Sequence, residues 1–264
     1  MKRWRVGNLK KLRFSRRQVL SWIGWMLLVA VLMVAAAYAV AGVGRLLLRT
    51  GWLAQANVSV VNLILQCFVH VLTIAAVCTV AWRIKKAVSA KQAGVQRLIE
   101  WRDIGMAIVG AVAYIALTVS LSFVAQAIIP GFNPNQAQDV GVSDRLFSLD
   151  LAIAFVVLVI VVPLCEELIF RGILYGKLRS AKLPVAANVF FVSLLFGVAH
   201  GQWNVGIDTF ALSLVLCTLR EYTGSIWSGF LLHAIKNSVA FYAVYVAAAC
   251  QPRSEERRVG KECR

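Results

Sequence analysis

The sequence predicts an all-α fold: a polytopic transmembrane helix bundle of about seven spans, with a four-helix core in its trailing part that carries most of the polar chemistry. Composition is the first observation behind this. Of 264 residues, 60% are hydrophobic and 15% charged, where a soluble domain has about 45–50% and about 25%. Mean hydropathy is +0.74. The second observation is the length of the uncharged runs: no Asp, Glu, Lys or Arg stands between Arg17 and Arg45, or between Arg49 and Arg83. Third, the net charge of +16 sits in short basic blocks between apolar runs, the pattern of cytoplasmic membrane anchoring. A disordered chain, a collagen and a small disulfide scaffold are excluded. No basic stripe lies on a soluble domain, so nucleic acid is not an expected partner.

A span needs about 20 apolar residues. Seven segments are read as spans: Val19 to Gly44, Trp52 to Trp82, Ile104 to Ile129, Leu149 to Gly176, Leu183 to His200, Val205 to Leu219 and Ser225 to Ala249. The first is too long for a signal peptide and lacks a cleavage pattern. Residues 1–17 hold eight Lys/Arg and the loop from Arg83 to Asp103 holds six, which places both in the cytoplasm. The loop from Pro130 to Asp150, with one Arg and three Asp, suits the outside. Arg171, Lys177, Arg179 and Lys182 return the chain to the inside, and Arg220 agrees, while Arg45 and Arg49 oppose the scheme and are outnumbered. Seven spans with the N-terminus inside leave the C-terminus outside.

The organisation expected is therefore a basic cytoplasmic N-terminus (1–18), three leading helices (19–130), an extracytoplasmic loop (131–148) and a trailing core (149–250). Residues 253–264, RSEERRVGKECR, back-translate to something that resembles a short-read sequencing adapter and are set aside from the fold. The six cysteines show no CxxC spacing and imply neither a metal cluster nor a disulfide framework.

Glu166 and Glu167 follow fifteen uncharged residues, Leu151 to Cys165. An ionised carboxylate at membrane depth costs at least about 2.5–3.5 kcal/mol, so the pair needs a reason. Glu167 and Arg171 stand at i and i+4 with the acid first, the favoured order for an ion pair. Glu166 lies about 100° round the helix, away from that pair and available for chemistry. His200 closes Phe196-Gly-Val-Ala-His200, and His233 and Asn237 share a face of His233-Ala-Ile-Lys-Asn237. Measured from the cytoplasmic ends at about 1.5 Å per residue, Glu166 lies about 16 Å deep, His233 about 12 Å, Asn237 about 18 Å and His200 about 26 Å. A carboxylate, two imidazoles and a carboxamide then meet in a helix bundle, a set suited to activating water and holding an oxyanion. Asp208 is read as an interfacial, solvated carboxylate. His70, with no acidic or amide partner near it in sequence, is read as a packed core histidine bonded to a neighbour.

Three motifs, in order, carry a family resemblance. Glu166-Glu167-Leu-Ile-Phe-Arg171 resembles the EExxxR motif of the CPBP family, the CAAX proteases and bacteriocin-processing enzymes also called Abi proteins; Phe196 to His200 resembles its FxxxH motif, and His233 to Asn237 its HxxxN motif. The resemblance covers about Asp150 to Ala249. It implies an intramembrane endopeptidase with a four-helix catalytic core. Glu166 would be the general base, helped by His200, and His233 with Asn237 would polarise the scissile carbonyl. Glu167, Arg171 and Phe196 would support the site. Lys236 inside the third motif departs from the family pattern but is turned about 100° from Asn237. Members are often labelled metalloendopeptidases, and Glu166, His200 and His233 would supply zinc ligands if zinc is used. No HExxH pairing is present, and a metal-free, glutamate-activated water accounts for the same residues, so no cofactor is favoured. The implied partners are the lipid bilayer and a membrane-associated peptide or protein substrate, and the implied location is the bacterial plasma membrane. A non-proteolytic immunity or scaffold protein of the same fold, and a proton-coupled transporter, are the competing readings. No inverted repeat supports the transporter.

Overall fold

The computed structural model describes residues 14–51, 58–133 and 149–247. The first thirteen residues, the start predicted for span two, most of the predicted outer loop and the adapter-like tail lie outside these. Among the described residues there is helix and no strand. Helix α1 spans Arg16–Arg49, α2 Val58–Arg83, α3 Trp101–Ile128, α4 Leu149–Ser180, α5 Val185–Ala199, α6 Trp203–Thr223 and α7 Trp227–Phe241. Each coincides with a predicted span. Helices α1 to α4 are long and apolar enough to cross a membrane, whereas α5 is a shorter apolar helix. The chain is a helical integral membrane protein.

Local chemistry sets the ends. Ser15 and Gln18 form a reciprocal capping box that starts α1, satisfying amides that the first turn leaves free. The 34 residues of α1 span about 51 Å. That exceeds a core about 30 Å thick, so the helix tilts or projects. Pro184 precedes α5, and Gly224, left-handed at φ 70°, ends α6.

The core sits around α4. Its lower half buries Ile169, Phe170, Leu174 and Tyr175 against Trp22 and Trp25 of α1 and Phe196 of α5. On the other flank, α3 lays Ala107 against Leu212, Leu216 and Leu232 of α6 and α7. Helices α5 and α6 approach closely at Gly197 and Gly206. A Cβ on Gly197 would fall 2.7 Å from the Gly206 carbonyl oxygen, so only glycine permits this contact, a device common between membrane helices.

Three basic residues counted toward topology are not surface charges. Arg171 is fully buried, and so nearly are Lys177 and Arg220. Lys177 lies within α4 and donates to the carbonyls of Lys86 and Ala87, at 2.6 and 2.8 Å. Arg220 donates to the carbonyls of Arg171 and Gln92, at 3.2 and 2.8 Å. These cations fasten the segment after α2 to the trailing core. Lys177 and Arg220 are structural, because they spend their donors chiefly on backbone oxygens.

Candidate active site

Helix α4 is not a regular α-helix. Val156–Val161 and Glu167–Leu174 are wound in wider π turns, a feature that recurs at functional sites. The first follows from Pro163. The Val162 amide reaches five residues back, to the Val157 carbonyl, and Pro163 has no N–H to give to the next one. The Leu158 carbonyl instead accepts Nδ2 of Asn237 on α7, at 2.8 Å. One amide proton of Asn237 is thereby spent and the other remains.

The two carboxylates part as the sequence predicts. Glu167 is fully buried, and its Oε1 accepts from Arg171 Nη1 at 3.0 Å. The Arg171 guanidinium lies 4.3 Å from the centre of the Phe196 ring, and a cation over a ring face is attracted. Oε1 of Glu167 also meets His233 Nδ1 at 3.3 Å. The pair therefore does more than fill space: it fixes which nitrogen of His233 faces the site. Gly229 makes room for it, since a Cβ there would stand 2.8 Å from Glu167 Oε2. Glu166 turns the other way. Its Oε2 is 3.6 Å from His233 Nε2 and its Oε1 3.5 Å from His70 Nε2.

Each histidine has its Nδ1 against an acceptor. His200 caps α5 and meets the Phe196 carbonyl at 2.8 Å, His70 meets the Gln66 carbonyl at 2.8 Å, and His233 meets Glu167. A carbonyl or ionised carboxylate only accepts, so Nδ1 donates in all three. The Nε2 atoms are left for the site. Phe196 organises this arrangement: its buried ring touches both His200 and His233, centroids 4.9 and 5.9 Å apart.

Glu166, His200, His233 and Asn237 all line one cavity of about 940 Å³, together with His70, Asp208 and Lys236. The four residues named from the motifs are brought together. Val29, Met33 and Val34 of α1 supply apolar wall, so the leading helices complete a cavity whose polar groups come largely from the trailing ones. Among the described residues, no group of three or more His, Cys, Asp or Glu side chains is placed to hold a metal ion.

Two expectations are corrected. Asp208 is not a freely solvated interfacial acid: Oδ1 accepts from Tyr114 and Thr118 of α3, at 2.5 and 2.7 Å, and Oδ2 pairs with Lys236 at 3.4 Å. His70 is buried and bonded to a neighbour as expected, but it does have an acidic partner, Glu166. That partner is 96 residues away in the chain, so local spacing held no sign of it. The one available signal was an imidazole in an otherwise uncharged span.

Residues 148–239 match the family model described as Type II CAAX prenyl endopeptidase Rce1-like. Over that segment the match supports a likeness to the CPBP/CAAX-protease family. The match takes in α4 through most of α7, and with them all three motifs. The Bacillus subtilis protein titled "Uncharacterized protein YpbD" is 24% identical over 151 residues, which cover 56% of this chain and 71% of that protein. No solved structure matches. The matched segment leaves out α1 to α3, and so leaves out His70 and the part of the apolar wall that α1 supplies.

Proposed function

We propose that this protein is an intramembrane endopeptidase that hydrolyses a peptide bond near or within the membrane, with water activated by Glu166 and His200. The observation that carries the reading is the convergence of Glu166, His200, His233 and Asn237 on one cavity within the bundle. Glu166 presents Oε2 to the cavity side of His233, and His200 presents an unprotonated Nε2. A water between them gives its proton to the Glu166 carboxylate as its oxygen attacks the carbonyl carbon. The resulting oxyanion accepts hydrogen bonds from the second Nδ2 proton of Asn237 and from His233 carrying a proton on Nε2. Collapse breaks the C–N bond, and the proton held by Glu166 passes to the leaving amine. Glu167, Arg171 and Phe196 orient His233.

No step in this reading uses a metal. The substrate is a membrane-associated peptide or protein, and the location proposed is a bacterial plasma membrane with the N-terminus cytoplasmic. An intact set of four converging groups favours hydrolysis over a scaffold or immunity role of the same fold, which would not need them. Substrate trapping tests the reading. Glu166→Gln expressed in the native host is expected to retain an uncleaved membrane peptide that wild type does not. Failure of any such species to accumulate, with the variant folded and inserted, would argue for the non-proteolytic alternative.

A further inference from the structure

His70 lies on α2, outside the segment matched by the family model, and is 7% exposed. One of its nitrogens is satisfied within its own helix, where Nδ1 donates to the Gln66 carbonyl at 2.8 Å. That bond fixes the ring and aims Nε2 away from α2. A buried polar nitrogen calls for a partner, and Nε2, which donates to a carboxylate only as part of the imidazolium, faces Oε1 of Glu166 at 3.5 Å. The other oxygen of the same carboxylate faces His233 Nε2 at 3.6 Å. Glu166 is thus gripped from two helices, α2 and α7, while its own helix supplies the backbone.

We infer that His70 is a positioning residue of the catalytic centre, contributed by the leading helices, which holds Oε1 of Glu166 so that Oε2 stays toward His233 and the cavity. The inference rests on the peptidase reading above. It assigns α2 a part in the chemistry that the three motifs do not contain. Without the contact, the Glu166 side chain can turn about its own rotatable bonds, and a base misplaced by about 1 Å loses on the order of 10²-fold in rate.

The two nitrogens of His70 can be separated by substitution. In His70→Gln the carboxamide reaches about as far as Nε2 and still meets Glu166. In His70→Asn it reaches only about as far as Nδ1 and keeps the Gln66 contact alone. His70→Ala loses both. The variants are assayed on a trapped substrate peptide, with melting temperature measured alongside. His70→Asn and His70→Ala are expected to lose about 100-fold in kcat at unchanged KM, and His70→Gln to stay within about threefold of wild type. A second readout needs no substrate: the Glu166 carboxylate band, isolated by infrared difference against Glu166→Gln, should shift in the Asn and Ala variants and not in the Gln variant. Wild-type kcat in His70→Asn, with Glu166→Gln inactive, would overturn the positioning role alone. Parallel loss of melting temperature and activity in all three variants would show a packing role and overturn it too. Activity surviving in Glu166→Gln would instead bring down the peptidase reading.

Discussion

Replacing Glu167 and Arg171 singly and together separates the stability of the site from its chemistry. Both side chains have 0% exposure. An ion pair at the surface would be worth only about 0–1 kcal/mol, but here removing one partner strands the other in the core. In Arg171→Met, the Glu167 carboxylate keeps only the His233 contact at 3.3 Å. In Glu167→Leu, the guanidinium keeps chiefly its place over the Phe196 ring, 4.3 Å from the centroid. Each single change is expected to cost about 3–5 kcal/mol. The double change removes both charges and leaves apolar groups of comparable volume, which in other buried pairs is neutral or even stabilising by about 1–4 kcal/mol. The double variant is therefore expected to be more stable than either single one, with a coupling of at least about 3 kcal/mol. It should nevertheless stay inactive, because His233 Nδ1 has lost its acceptor. Unfolding in mixed detergent micelles measures the three stabilities, and a peptide assay measures the activity. Additivity of the two single changes within about 0.5 kcal/mol would refute the pairing.

Metal dependence and the fixing of Asn237 give two further tests. Peptidase activity is expected to survive exhaustive chelation, checked by elemental analysis of the purified protein. Loss of activity, with recovery on adding stoichiometric zinc, would contradict the metal-free water and make Glu166, His200 and His233 the ligands. Pro163→Ala restores a backbone N–H that competes with Asn237 for the Leu158 carbonyl. It should lower kcat by roughly tenfold, in the range of a partly misplaced group, without lowering the melting temperature; unchanged kcat would show that Asn237 is held in some other way.

The parts legible in the sequence are those governed by spacing along one helix. The i, i+4 relation of Glu167 and Arg171 gives their pair, and the turn between Glu166 and Glu167 gives their divergence. Hydropathy locates the seven longer helices because each contains an extended apolar run, four of them long enough to cross a membrane. What spacing cannot convey is which helices become neighbours. The meeting of His70 and Glu166 depends on α2 packing against α4, and the anchoring of Asp208 by Tyr114 and Thr118 depends on α3 packing against α6. The reading of Lys177 and Arg220 as loop charges failed for the same reason. Their acceptors are backbone oxygens of a distant segment, invisible to a count of basic residues. The π turns of α4 also left no periodic trace, although Pro163 beside the Glu pair marks where the backbone departs from the ordinary helix.

The most direct test of the central claim is the turnover of Glu166→Gln on a peptide identified by trapping. Glutamine keeps the size of the side chain and removes its basicity. The account predicts a fall in kcat of about 10²–10⁴-fold, with insertion and melting temperature as in wild type. Turnover above about a tenth of wild type would remove Glu166 from the role of base and contradict the account.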